Sequence, residues 1–260
     1  MDIAWKAFDG HGPHLLLVHG FLSSKSQWLG NLDALSRVCR PVVIDLLGHG
    51  DSAAPDEPER YKPEAYLVAF DEIRRALGAQ RWIVCGYSLG AGLTLRYAFE
   101  QPERVIGHVF TNSSSGLADD ATIAQWRAGA ARVAAHVKAT GKSAIEAMPV
   151  HPRQARALAG PVYDAVLADA ERLSPIGVAH TLEHTNPNIS MRARLAENTR
   201  PALLVCGRRE RRFRDKRDFA ATHMPLLTVV DVDAGHAVNM EAQAAFDRAV
   251  TDFIGRLDDD

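Results

Sequence analysis

Short apolar runs recur along the chain at 14–18, 42–45, 81–85, 105–111, 202–206 and 227–232, bounded by Gly, Pro or Asp. Polar residues do not alternate with apolar ones inside them, so each run predicts a strand covered on both faces, as in a parallel sheet. Between the runs the spacing becomes helical. Trp28, Leu32 and Leu35 share one face, as do Tyr66, Phe70, Ile73 and Leu77, the stretch 93–99, and Phe246, Val250 and Phe253. Strand and helix in alternation predict an α/β fold, a mostly parallel sheet flanked by helices.

The rhythm stops between 112 and 199. That segment has no strand pattern and is rich in Ala and Arg, with helical spacing at 122–139, 154–159 and 162–173. Pro149, Pro152, Pro161, Pro175 and Pro187 divide it into short helices, because proline interrupts the helical hydrogen-bond ladder. Strand–helix alternation then resumes. The pattern predicts a helical cap, 112–199, inserted into a core made of 1–111 and 200–260. Asp258-Asp259-Asp260 reads as a frayed tail.

Composition narrows this picture without redirecting it. A chain of 260 residues, 47% hydrophobic and 24% charged, can bury a core without disulfides or a structural metal. The net charge of −2 argues for neither nucleic acid nor an anionic membrane as a partner, and the expectation is none of either. Three cysteines, of which Cys85 and Cys206 end apolar runs, read as small core residues rather than a disulfide or zinc framework. No basic segment followed by an apolar stretch opens the chain, and no run approaches the ~18 apolar residues of a membrane span. The expectation is a cytoplasmic protein acting on a small molecule.

The chemistry gathers at the ends of the apolar runs. The run 82–85 leads into Gly86-Tyr87-Ser88-Leu89-Gly90, and helical spacing follows. Strand, Gly-x-Ser-x-Gly, helix is the setting of a nucleophile elbow, in which a tight turn presents the serine above the sheet edge. Small residues at Gly86 and Gly90 let strand and helix approach, and the Leu89 N–H lies at the helix N-terminus, where an oxyanion is stabilised. Ser23, Ser24 and Ser26 lack this setting, and Ser113-Ser114-Ser115 opens the insertion.

The run 15–18 ends in His19-Gly20-Phe21, and its loop can bring the Phe21 N–H opposite that of Leu89 as a second oxyanion donor. His19 is expected to shape this loop through a local hydrogen bond rather than act as a base. Gly48-His49-Gly50-Asp51-Ser52 is likewise expected to form a loop. His236, in Asp233-Ala234-Gly235-His236-Ala237 after the last strand, is placed to take the proton of Ser88.

These motifs, with Asp45-x-x-Gly48-His49-Gly50-x-Ser52 among them, resemble in order and spacing the α/β-hydrolase superfamily over nearly the whole chain. The resemblance implies a Ser–acid–His triad in that chain order and a cap over the pocket; such a triad needs no cofactor. It places the acid after the strand 202–206, commonly as an aspartate three residues beyond a Gly. Here Gly207-Arg208-Arg209-Glu210 puts a glutamate there, with Asp215 as the competitor. Some relatives carry the acid after the preceding strand, where this chain has Asn112, which cannot hold the charge.

Arg208, Arg209, Arg211, Arg212, Arg214, Lys216 and Arg217 crowd around Glu210. They read as a solvated basic loop, or as a site for an anionic substrate group or acidic partner. Tyr87, Trp126 and Met148 are candidates to line the pocket. The cap histidines His136, His151, His180 and His184 have no metal-ligand spacing.

Among capped relatives the chain is similar to small carboxylesterases, carbon–carbon-bond hydrolases and the menaquinone-pathway lyase. That lyase has an arginine shortly after the nucleophile, where this chain reads Ala91-Gly92-Leu93-Thr94, with Arg96 one turn further on. The leading expectation is hydrolysis of a carboxylic ester or similar acyl bond by Ser88, His236 and Glu210. The same residues could serve a lyase or carbon–carbon hydrolase through proton transfer, or a ligand receptor that retains the triad.

Overall fold

The computed structural model describes residues 2–155 and 158–257. The tail 258–260 and part of the expected helix 154–159 lie outside the described residues. Seven strands form one sheet: β1 (Trp5–Ala7), β2 (His14–Val18), β3 (Arg40–Ile44), β4 (Trp82–Gly86), β5 (Val105–Phe110), β6 (Ala202–Gly207) and β7 (Leu227–Val232). Their order is β1-β3-β2-β4-β5-β6-β7, with every pairing parallel except β1 against β3.

Helices α1 (Leu32–Leu35), α2 (Pro63–Ala76) and α3 (Leu89–Glu100) connect the first strands. Between β5 and β6 lie α4 (Asp120–Thr140), α5 (Lys142–Glu146), α6 (Pro161–Ala170) and α7 (Pro175–His180). The chain closes with α8 (Arg214–His223), α9 (Val238–Glu241) and α10 (Gln243–Leu257).

The two-sided apolar runs are explained by where alternate residues go. Leu16, Val18, Val42, Ile44, Trp82 and Val84 join one core with Tyr66, Phe70 and Ile73 of α2 and Leu93 and Tyr97 of α3. Their neighbours Leu15, Leu17, Val43, Ile83 and Cys85 join another with Phe246, Val250 and Phe253 of α10. Both faces of the inner strands β2, β3 and β4 are thus dry, whereas the edge strand β7, expected to be covered on both faces, leaves Thr228 and Asp231 exposed. Cys39, Cys85 and Cys206 are buried and free, and burial pushes the Cys39 and Cys206 thiols up to about 12.

Two further expectations need correction, and one strand was not among those predicted. Strand β1 has no apolar signature, because an antiparallel edge strand is held by backbone pairing (Trp5 opposite Ile44) and exposes Lys6 and Ala7. The helix expected through Trp28 and Leu35 is a 3₁₀ turn, Lys25–Trp28, followed by the four-residue α1. The segment around 154 begins as a 3₁₀ turn, Pro152–Gln154, opened by a proline that presets the first dihedral.

The helices between β5 and β6 rest on the sheet edge through a few specific contacts. Gly48, at φ 75°, lies so close to α7 that an added Cβ would come within 2.6 Å of the Gly177 Cα. Leu22, fully buried, inserts from the β2–α1 loop among Val137, Ile145, Leu173 and Val178. On α6, Asp169 accepts hydrogen bonds from Ser24 Oγ and Ser26 Oγ, each at 2.6 Å, and pairs with Arg172 at 2.7 Å.

Replacing Asp169 with Ala would leave those two hydroxyls without their acceptor, a loss of about 1–3 kcal/mol. Asp169→Ala should therefore lower the urea midpoint and speed amide exchange in α6, while Asp169→Asn loses less. An unchanged midpoint in both variants would refute the clamp.

Candidate active site

The elbow between β4 and α3 is built by close approach. Ser88 has φ 53° and ψ −111°, a conformation rarely open to a residue with a side chain. A Cβ on Gly90 would lie 2.4 Å from the backbone oxygens of Val18 and His19, and one on Gly86 2.4 Å from the Ala91 Cα. Only glycine lets β4 turn into α3 this tightly against β2. Ser113 Oγ donates to the Ser88 carbonyl at 2.6 Å and braces the turn from the end of β5.

The serine meets the predicted base and acid. His236 Nε2 lies 2.9 Å from Ser88 Oγ, and His236 Nδ1 lies 2.9 Å from Glu210 Oε2. His236 comes from the loop after β7 and Glu210 from the loop after β6, so parallel pairing of these strands sets both beside the elbow. Burial pushes the Glu210 carboxyl up, but His236, the Asn112 amide and the nearby Lys216 outweigh it and hold the group below the usual carboxylate range. Asp215, the competing acid, is exposed on α8.

The Phe21 loop owes its shape to two buried histidines. His19 Nε2 accepts the Leu46 N–H at 2.9 Å, and its Nδ1 then donates to the Gly20 carbonyl at 2.7 Å. His49 repeats the arrangement, accepting from Leu22 N at 3.2 Å and donating to the Leu47 carbonyl at 2.9 Å. An acceptor nitrogen requires the neutral ring. Burial supplies that form, lowering the pKa of His19 and taking His49 down to about 3. Both histidines are structural, as expected for His19.

Above Ser88 opens a cavity of about 930 Å³. Tyr87, Trp126 and Met148 line it, together with Phe21, Leu22, Pro149, Val150, Tyr163, Val166, Leu182 and Met240. Its carboxylate and imidazole wall residues, among those described, are Glu210, Glu241, His151 and His236.

None of the basic cluster 208–217 lines this cavity. Arg208 pairs with Asp233, Arg209 with Asp233 and Glu241, and Arg217 with Asp218 and Asp231, leaving a solvated surface loop. Arg96 is turned away, bonded to Glu64, Glu100 and the Asn188 carbonyl. Among the described residues no cluster of three or more His, Cys, Asp or Glu could hold a metal ion. No described helix is long and apolar enough to cross a membrane.

Several supporting residues escaped the sequence reading. Glu241 accepts the N–H groups of Gly235 and Ala237, bracketing His236. Gln27, Asn31, Asn239 and Asp247 form a buried network joining the Phe21 loop to α9. Its partners are more than 200 positions apart, and nothing local marks them.

The sequence pattern of the α/β hydrolase fold family matches residues 13–243. The chain belongs to this family. A protein of Bacillus subtilis (strain 168), provisionally named 2-succinyl-6-hydroxy-2,4-cyclohexadiene-1-carboxylate synthase, is 29% identical over 95% of this chain and 94% of its own length. The structure of MenH from S. aureus superposes with a TM-score of 0.83 at 20% identity, covering 98% of each chain. A hydrolase from Pseudomonas aeruginosa PA01 gives 0.79 at 26% identity, over 97% of this chain and 94% of its own.

The buried neutral histidines make stability depend on pH. Each has a folded pKa below the ~6.5 of an unfolded histidine, so its contribution is complete above about pH 6.5 and falls as acid protonates the unfolded chain. The decline runs to about 4 for His108 and about 3 for His49, at up to about 1.4 kcal/mol per pH unit for each. Urea midpoints should drop between pH 7 and pH 4.5, less steeply in His49→Asn. A flat profile would contradict neutral burial.

Proposed function

We propose that the chain is a serine hydrolase that cleaves a carboxylic ester, or a similarly activated acyl bond, of a small to medium substrate. The observation that carries this reading is the unbroken chain from Ser88 Oγ through His236 to Glu210, with both contacts at 2.9 Å, at the floor of the cavity.

Ser88 Oγ gives its proton to His236 Nε2 as it bonds to the acyl carbon. The carbonyl electron pair moves onto oxygen, facing the N–H groups of Phe21 and Leu89, which have no hydrogen-bond partner among the described residues. His236 returns the proton to the departing alkoxide as the carbon–oxygen bond breaks. Water then gives a proton to His236 and attacks the acyl-enzyme, and Ser88 regains its proton as the acid product leaves. Glu210 holds the Nδ1–H and offsets the charge on the ring. No cofactor enters these steps. The helices of 112–199 serve as a cap, and Tyr87, Trp126 and Met148 contact the substrate.

Cavity chemistry favours ester cleavage over a reaction that must grip a carboxylate. The described walls are mostly apolar and carry two carboxylates, Glu210 and Glu241, but no lysine or arginine; Arg156 lies outside the described residues. The nearly full-length similarity to the Bacillus subtilis protein supports a second reading, a lyase using Ser88 and His236 for proton transfer.

A panel of p-nitrophenyl esters of increasing chain length, with fluorophosphonate labelling, separates the two. The first reading expects turnover and labelling at Ser88, both lost in Ser88→Ala, with kcat falling by about 10⁴-fold or more. Neither turnover nor labelling would sink it. Glu210→Gln should lower kcat by about 10³–10⁴-fold, and Asp215→Asn should not. The reverse would overturn the acid assignment.

A further inference from the structure

Asn112 lies two residues beyond the end of β5 and is completely buried. Its Oδ1 accepts the Gly207 N–H at 3.0 Å, while its Nδ2 donates to the Gly207 carbonyl at 3.2 Å and to Glu210 Oε2 at 2.6 Å. The Gly207 bonds fix which end of the amide is which, since a flipped amide would set donor against donor and acceptor against acceptor. One amide proton is committed to the β6 backbone and the other to the carboxylate. Glu210 Oε2 therefore stands between two donors, Asn112 Nδ2 and His236 Nδ1.

We propose that Asn112 is a positioning residue that locks the Glu210 carboxylate in register with His236. The inference rests on Glu210 being the acid of the triad. Glutamate has one more rotatable bond than aspartate, so its carboxylate samples more positions unless something holds it. Asn112 supplies that hold from a neighbouring strand end. Being neutral, it does so without adding charge beside the histidine. A second carboxylate at 112 would repel Glu210 and force the two to share a proton. Asn112 also ties the ends of β5 and β6 together, a purely structural role the test must separate.

The measurement uses Asn112→Leu, which preserves bulk but removes both donor and acceptor, and Asn112→Ala, which leaves space instead. Glu210→Gln runs alongside. Rates on the preferred p-nitrophenyl ester are normalised to sites titrated with fluorophosphonate, so misfolded protein does not count. The proposal expects kcat per titrated site to fall about 10–100-fold, the range for outer partners of functional groups, with KM changed less than about threefold. Without a donor to its charged form, the Glu210 pKa rises, so the acid limb of the kcat profile moves to higher pH. The downfield NMR signal of the His236 Nδ1 proton should shift or broaden.

If kcat, the acid limb and the proton signal hold steady in whichever variant folds while Glu210→Gln is crippled, Asn112 is a strand tie only and the proposal fails. Should Glu210→Gln itself stay active, it is the triad reading that fails.

Discussion

Ser88 is held in a backbone conformation that costs on the order of 1–3 kcal/mol, and the layout of the site follows from how that cost is met. Three parallel strands share the work. Tyr87 N donates to the Val18 carbonyl at the end of β2, Thr111 N donates to the Gly86 carbonyl at the end of β4, and Ser113 reaches back from beyond β5. The strained turn aims the serine hydroxyl out of the sheet edge. It also leaves the Leu89 N–H at the head of the twelve-residue α3, where backbone donors lack partners within the helix. The strain at Ser88 and the open N–H of Leu89 are products of one turn.

The facing loop uses different physics. The position of Phe21 is set by side chains that must stay uncharged: His19 and His49 accept backbone N–H groups in a space where imidazolium would be costly. Beneath them the buried Asp45 carboxylate takes N–H groups from Lys25 and Asp51 and an ion pair with Lys25. Burial pushes its pKa up, but the N–H groups of Asp51 and Lys25 and the Lys25 ammonium keep it below the ordinary value. Leu22 leaves the same loop to pack among the inserted helices, and Asp169 grips Ser24 and Ser26. The loop that carries Phe21 is therefore also the seat of the helices above it. Movement of those helices and geometry at Phe21 are physically coupled.

Charge around the cavity is arranged by partition. Arg208 pairs with Asp233, Arg209 with the wall carboxylate Glu241 and Arg217 with Asp231, and Arg96 is bonded to α2, α3 and the 188 carbonyl. Glu241 in turn uses its carboxylate on the backbone around His236. What remains facing the substrate space is mainly hydrocarbon and aromatic surface, with the reacting groups at its floor.

Much of this was legible in local sequence because its causes are local. A strand buried on both faces must be apolar throughout, and an elbow needs Gly at 86 and 90, so six of the seven strands and Ser88 could be read directly. His236 followed from its place after the last strand, and Glu210 from its distance beyond Gly207. The edge strand β1 left no trace, since backbone pairing asks little of side chains. Tertiary structure alone set Glu210, three residues beyond the β6 end, 2.9 Å from His236 and left Asp215 on an exposed face of α8. It also made Asn112 a hydrogen-bond partner of Glu210. Those outcomes depend on which strand ends lie side by side, a contact between residues 98 positions apart. Periodicity and motif spacing report on a residue's own turn or strand; they carry no information about what the fold sets against it.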